Sequence, residues 1–444
     1  MFTQEQISRA GVVGAGGAGF PTHVKLNAKA DTVVCNAAEC EPLLHKDKEI
    51  LRHFPRQVIA GLDAARGLVG AGRVVIGIKR KYADLIDHLT PFLAESMEIC
   101  PLDDVYPAGD EFILVYETLG RVIPPGGIPI QVGAVVMNVE TALNVAGAVQ
   151  DEPVTSKFLT VTGCVAKPVS IRVPLGVTLA ECIEAAGGST IDSPACLVGG
   201  PMMGYLESNP TNARVTKTTG GIILLPQDHP LVVSMSRPWT SITRIAKSGC
   251  DQCSHCSEMC PRNLLGHPVE PHKAMRSLLF GADVLVPGTQ FCSGCNLCSR
   301  CSCPEGLDPR NVMQANRRKW AESGQKWTDP TFHRNRADMH MKNRQTPIPR
   351  LVRRLGLTDY DVHADWDEQI SAQMMNITMV AIPLRQHIGA PCECVVKPGQ
   401  TVQAGDVLGV PAVKDGKPQL GASIHASIDG TVISVENGVV TIQK

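Results

Sequence analysis

The run Cys250-x2-Cys253-x2-Cys256-x3-Cys260-Pro261 spaces three thiolates along one loop to hold three corners of a cubic iron–sulfur cluster, and the fourth cysteine, beside proline, reaches a second cluster. A second run, Cys292-x2-Cys295-x2-Cys298, is followed by Cys301-Ser302-Cys303-Pro304. Regular spacing would put its fourth cysteine at position 302, where serine stands, so Cys301 and Cys303 compete for the part. Cys303 is preferred because it precedes Pro304 as Cys260 precedes Pro261, which leaves Cys301 a spare thiol. Crossed ligation then predicts one [4Fe-4S] cluster on Cys250, Cys253, Cys256 and Cys303 and another on Cys292, Cys295, Cys298 and Cys260. Structural zinc is the competing chemistry, since paired cysteines also make tetrahedral sites. It would leave the third cysteine of each triple and both Cys-Pro signals without a use. Two clusters carry single electrons and do no acid–base work, so any substrate chemistry lies elsewhere in the chain.

Gly14-Ala15-Gly16-Gly17-Ala18-Gly19 satisfies G-x-G-x-x-G, in which glycines let backbone N–H groups approach a phosphate. Its context is unusual: only Gly11, Val12 and Val13 precede it, and Phe20-Pro21-Thr22 follows at once where an uninterrupted helix is normal. The nucleotide domain is therefore expected to be Rossmann-like without being an ordinary dinucleotide fold.

The elements that must position these residues belong to a chain of 444 residues, long enough for several domains. Its 42 basic and 43 acidic residues nearly cancel, which argues against nucleic acid or an anionic membrane as partner. Of the 17 cysteines, nine lie between Cys250 and Cys303, too clustered for a disulfide scaffold and suited to metal in a reducing compartment. The N-terminus lacks the pattern of a secretory signal, and no apolar stretch of about 18 residues predicts a membrane span. A cytoplasmic protein is expected.

Residues 1–150 alternate short apolar runs (DTVVCN, RVVIGI) with helical patterns, the signature of βαβ units and an α/β domain. Residues 155–230 read strand, strand, helix, strand, a small α+β module. Residues 240–310 carry the cysteines around a helix-like HKAMRSLLFG. Residues 311–375 turn basic and read as a solvated helical connector. Residues 376–444 are short strands with Gly-Asp, Asp-Gly and Asn-Gly turns, an all-β domain. Cys40 reads as a small buried hydrophobe, Cys392 and Cys394 as structural strand residues, and His363 as a buried structural histidine.

The string GAGGAGFPTHVK, Gly14 to Lys25, closely resembles the flavin loop of the FMN-binding subunit of respiratory complex I and of the Rnf complex C subunit. The likeness continues in order through CNAAECEP (Cys35 to Pro42), Lys46-Asp47, YPAGDE (Tyr106 to Glu111) and VVMNVET (Val135 to Thr141). It implies that Gly14, Gly16 and Gly17 approach the FMN phosphate, that Lys25 neutralises it, and that Asn36, Glu39, Asn138 and Thr141 hold the ring and ribityl chain. It also implies that NADH stacks near Phe20 and meets Glu41 and Glu111, with Tyr106 nearby. Ala15, Ala38, Met137 and Cys40 depart from the complex I pattern. The resemblance further implies an SLBB β-grasp module after the flavin domain and a ferredoxin-like two-cluster α-helical domain. The last residues, with PGQTVQAGDVLG and HASIDGTVISV, resemble a biotinyl/lipoyl-like barrel-sandwich hybrid. The stretch Ile424 to Gly430 lacks the lysine of a carrier domain and reads as a docking or structural module.

This domain order looks like the cobalamin reductases of propanediol utilisation, and the likeness extends through PRNLLGHPVEPHKAMR and PIPRLVRRLGLTDYD. That family implies reduction of cob(III)alamin and cob(II)alamin by NADH, a cobalamin adenosyltransferase and a shell protein as partners, and a bacterial microcompartment lumen as location. The alternative is an electron-input adaptor of an Rnf-like membrane complex. Asp361-Val362-His363 begins like the D-x-H-x-x-G motif of resident cobalamin but lacks its glycine, so cobalamin is expected to visit as substrate.

Overall fold

A computed structural model describes residues 2–279, 286–326 and 336–444. Phe280 and Gly281 of the helix-like stretch, and His333 to Asn335 of the basic stretch, lie outside the described residues.

The N-terminal unit is built on four parallel strands, β1 (Thr32–Ala37), β2 (Arg73–Lys79), β3 (Met97–Leu102) and, beyond the short β4 (Val105–Tyr106), β5 (Ala134–Asn138). Their order is β3-β2-β1-β5. The β-branched runs TVVC and VVI are buried, as strands covered on both faces require. Pro55 at the start and Gly70 at φ +67 just past the end bound the Pro55–Val69 helix, the usual asymmetry of helix punctuation. That helix packs on the Val139–Val149 helix so closely that a Cβ on Gly61 would lie 1.8 Å from the Ala142 carbonyl oxygen.

The next unit has strands β6 (Ser156–Gly163), β7 (Val169–Pro174), β8 (Ala195–Val198), β9 (Tyr205–Glu207) and β10 (Gly221–Leu225), ordered β7-β6-β10-β8-β9. Its Leu179–Ala185 helix starts in a capping box of Thr178 and Glu181. The cysteine runs lie among the helices Trp239–Gly249, Pro271–Leu279 and Pro309–Ser323.

The basic connector differs from its expected solvated character. Ile348, Leu351, Val352, Leu355 and Leu357 are buried with Tyr106, Leu197, Cys295 and Leu297, so the arginines of PRLVRRLG decorate the outer side of an apolar face. Thr346–Pro347 also pairs antiparallel with β4. The C-terminal unit folds two small sheets around Val380, Ile382, Leu408, Ile424, Val432 and Ile442. Asn437 and Gly438, both at positive φ, make its Asn-Gly hairpin. This unit is fastened to the other two: Lys217 Nζ donates to the carbonyls of Gly11 (2.6 Å) and Ser423 (2.8 Å), and the Ile388 amide donates to Gly19 at 3.2 Å.

Candidate functional site: a nucleotide crevice joined to two cysteine-lined hollows

From β1 the chain winds outward through β2 and β3 and returns on the other side of β1 as β5. The crevice beyond the carboxyl ends of β1 and β5 is thus a topological switch point, where open parallel sheets bind ligands. Asn36 and Asn138 are register partners there. The glycine loop folds over this edge: the Gly14 amide bonds to the Phe20 carbonyl at 2.9 Å, and the Ala15 amide donates to Thr141 Oγ1 at 2.9 Å. A Cβ on Gly16 would press 2.9 Å from Asn138 Cγ, while Gly17 faces open space. The loop leaves room that side chains would fill, which fits a phosphate-bearing group against the backbone. Phe20 remains 36% exposed beside the loop, available for stacking.

The other residues named from sequence divide in two. Asn36 Nδ2 donates to the Gly109 carbonyl at 2.8 Å, and Asn138 caps the Val139–Val149 helix and donates to Asp47 at 2.7 Å. Lys25 and Glu111, assigned separate roles, form an ion pair at 2.9 Å. Glu39 sits at φ +34, a left-handed conformation that stores strain in a non-glycine residue. Its carboxylate accepts from the Asp47 and Lys48 amides (2.8 and 3.2 Å), capping the Lys46–His53 helix, and burial raises its pKa against the pull of Lys48. Cys40 Sγ accepts from the Gly109 amide, and burial pushes its thiol up to about 12, an inert group.

Glu41 and Tyr106 make their bonds outside the glycine loop. Glu41 accepts from the Met202 and Met203 amides, both at 3.0 Å, and burial pushes it up to about 7. Tyr106 is 2% exposed and donates its hydroxyl to the Cys295 carbonyl at 2.8 Å. These two residues lie where the flavin-type unit meets the cysteine runs.

One group escaped sequence reasoning. Under the glycine loop, Glu140 is buried between Lys157 and Lys46, the latter at 2.9 Å, and Lys157 also donates to the Ala15 carbonyl. Burial would raise Glu140, but the two lysines outweigh it and hold the carboxylate low. The same burial brings Lys157 down to about 8. The signals were the acid within the VVMNVET string and Lys46 in its own stretch, which do not reveal that they meet each other and Lys157.

The cysteines gather in two hollows. One is lined by Cys250, Cys253, Cys256 and Cys303, the other by Cys260, Cys292, Cys295 and Cys298. Cys301 lines neither; its Sγ lies 3.9 Å from Thr346 Oγ1. Both hollows are built alike: left-handed Gln252 and Ser254 flank Cys253, and left-handed Gly294 and Asn296 flank Cys295, turning loop amides inward. Burial pushes the Cys256 and Cys295 thiols up to about 12, so thiolates here need a compensating cation, which iron provides. The donor sets fit a cubic cluster in each hollow. The second hollow abuts the nucleotide unit through Tyr106 and an Arg262–Asp110 ion pair at 2.9 Å, and the second unit through Asn296 Nδ2 donating to the Met202 carbonyl (3.1 Å). The first opens outward, with Cys253 exposed.

A switch-point crevice for a nucleotide, coupled through packed side chains to paired four-cysteine hollows, defines an electron-transfer oxidoreductase. Family models describe the same parts: Nuo51 FMN-binding domain over residues 7–147, SLBB domain over 158–206, 4Fe-4S dicluster domain over 249–308 and RnfC barrel sandwich hybrid domain over 362–444. "Cobalamin reductase PduS" of Salmonella typhimurium is 40% identical over 99% of this chain and 96% of its own length. The chain belongs to the cobalamin reductase PduS family. The C subunit of the Na(+)-translocating ferredoxin:NAD(+) oxidoreductase complex of Acetobacterium woodii is 34% identical over 59% of this chain and 58% of its own. An NAD+-reducing [NiFe]-hydrogenase in the H2-reduced state shares the fold at TM-score 0.50 and 22% identity, over 73% of this chain and 62% of that one, less than two thirds of its length. Among the described residues no helix is long and apolar enough to cross a membrane.

Proposed function

We propose that this chain takes electrons from NADH and delivers them to cob(III)alamin and cob(II)alamin. The observation that carries the reading is the join between the crevice and the inner hollow, where Tyr106 bonds to the backbone of Cys295. FMN held in the crevice would supply two-electron hydride chemistry and clusters held in the hollows one-electron chemistry, which would turn a two-electron donor into a one-electron supply.

In this reading Gly14, Gly16 and Gly17 present backbone to the FMN phosphate, and Lys25 exchanges its contact with Glu111 for that phosphate. Asn36, Glu39, Asn138 and Thr141 frame the ring and ribityl chain, with the Glu140–Lys46–Lys157 network holding the glycine loop from below. Phe20 offers its face to nicotinamide. Cys250, Cys253, Cys256 and Cys303 hold the outer cluster; Cys260, Cys292, Cys295 and Cys298 hold the inner one. Glu41 and Tyr106 fix the seam between crevice and inner cluster. The units are a Rossmann-like domain at 1–150, a β-grasp module at 155–230, a ferredoxin-like domain at 240–310, a connector at 311–375 and a barrel-sandwich hybrid at 376–444. The product feeds an adenosyltransferase in a microcompartment.

Anaerobic reconstitution should give about eight irons and about one FMN per chain. NADH should then bleach the flavin, and added cobalamin should be reduced. An iron-free, zinc-loaded protein would sink the proposal. The likeness to the C subunit of an ion-translocating complex supports a second reading, an electron-input adaptor. Bleaching by NADH without reduction of cobalamin would favour it.

A further inference from the structure

Away from both hollows, the Lys46–His53 helix and the 361–367 segment bring three donors together. His363 Nε2 lies 3.2 Å from Glu49 Oε1 and 3.4 Å from Asp365 Oδ1. Glu49 Oε2 lies 3.5 Å from His53 Nε2, one helical turn on, and accepts from the Trp366 amide at 2.9 Å. The His45 ring packs against that of His363, centroids 4.5 Å apart.

We propose that Glu49, His363 and Asp365 form a zinc site whose fourth position is open to water. One imidazole nitrogen faces two carboxylates, and a single proton there can serve only one of them well. A divalent cation satisfies all three at once. Ligand atoms about 2.0–2.1 Å from tetrahedral zinc are separated by roughly 3.3–3.4 Å, close to the spacing observed. The mixed imidazole and carboxylate set is ordinary zinc chemistry. Glu49, whose side chain is 2% exposed, is oriented by the Trp366 amide, as a bond from outside the ligand set should do. Asp365 at 82% exposure leaves an entry path for the ion. The bound ion would pin the 361–367 segment to the helix whose first amides hold Glu39. It would do so without touching the electron path.

The test uses anaerobically reconstituted full-length protein, equilibrated with a modest excess of zinc sulfate, desalted, and analysed for zinc and iron by mass spectrometry. The wild type should retain about one zinc per chain, and His363→Ala and Asp365→Asn should lose it with iron unchanged. Zinc should also raise the unfolding temperature of the wild type and leave that of His363→Ala where it was. Because His363 is 44% exposed, its replacement leaves the core intact. Equal zinc in wild type and His363→Ala at full iron content, or no zinc in either, overturns the proposal.

Discussion

Cys303 shares a hollow with Cys250, Cys253 and Cys256, while Cys301 turns toward Thr346. Cys303→Ser should therefore lower iron by about four per chain, and Cys301→Ser should leave iron content and visible absorbance unchanged. The reverse result would transfer the ligand role to Cys301. The sequence favoured Cys303 on its Cys-Pro step alone, since the step from Cys298 to Cys303 is one residue longer than that from Cys256 to Cys260. His363 was less legible: it is half-exposed beside carboxylates rather than buried, since a lone histidine in sequence carries no sign of Glu49, far away on another element. Glu41 and Tyr106 were expected near the nicotinamide from their strings. Their orientation toward Met202 and Cys295 depends on contacts between units, which no local pattern encodes.

At the scale of elements, the Pro55–Val69 and Val139–Val149 helices cross at Gly61. Adding a methyl to this helical glycine would gain about 1 kcal/mol of helix propensity. The same methyl would meet the Ala142 carbonyl at 1.8 Å, and overpacking costs about 1–3 kcal/mol or more. Gly61→Ala should thus be net destabilising, read as a lower unfolding temperature of the flavin-free protein; an unchanged or higher value would mean the helices move apart freely. The strands and helices of this unit were legible because their apolar periods and their Pro and Gly punctuation are local. The connector was not, because charges at 350, 353 and 354 masked the buried Leu351 and Val352 between them. The Glu140–Lys46–Lys157 group was hidden for a different reason: burying three charges is favourable only once all three have met.

At the scale of the whole molecule, Lys217 ties three units together from a site where burial lowers it to about 7. Released on unfolding, it returns to the usual lysine value near 10.5, so between these pH values the unfolded chain binds more protons. Its contribution to stability should rise with pH through that window and be least favourable below it. Relative to Lys217→Met, the wild type should therefore gain unfolding temperature between pH 7 and pH 9; parallel curves would show that the ammonium is not desolvated as the structure has it. The crossed hollows carry a further consequence for how the molecule is assembled. With iron in place, the Cys260-to-Cys292 closure lies inside the closure from Cys256 to Cys303, so the clusters are nested staples on one stretch of chain. Setting the inner staple shortens the free span the outer one must close, and the entropy of that second closure falls accordingly. Iron loading should then be cooperative, passing from empty to full with few half-loaded chains.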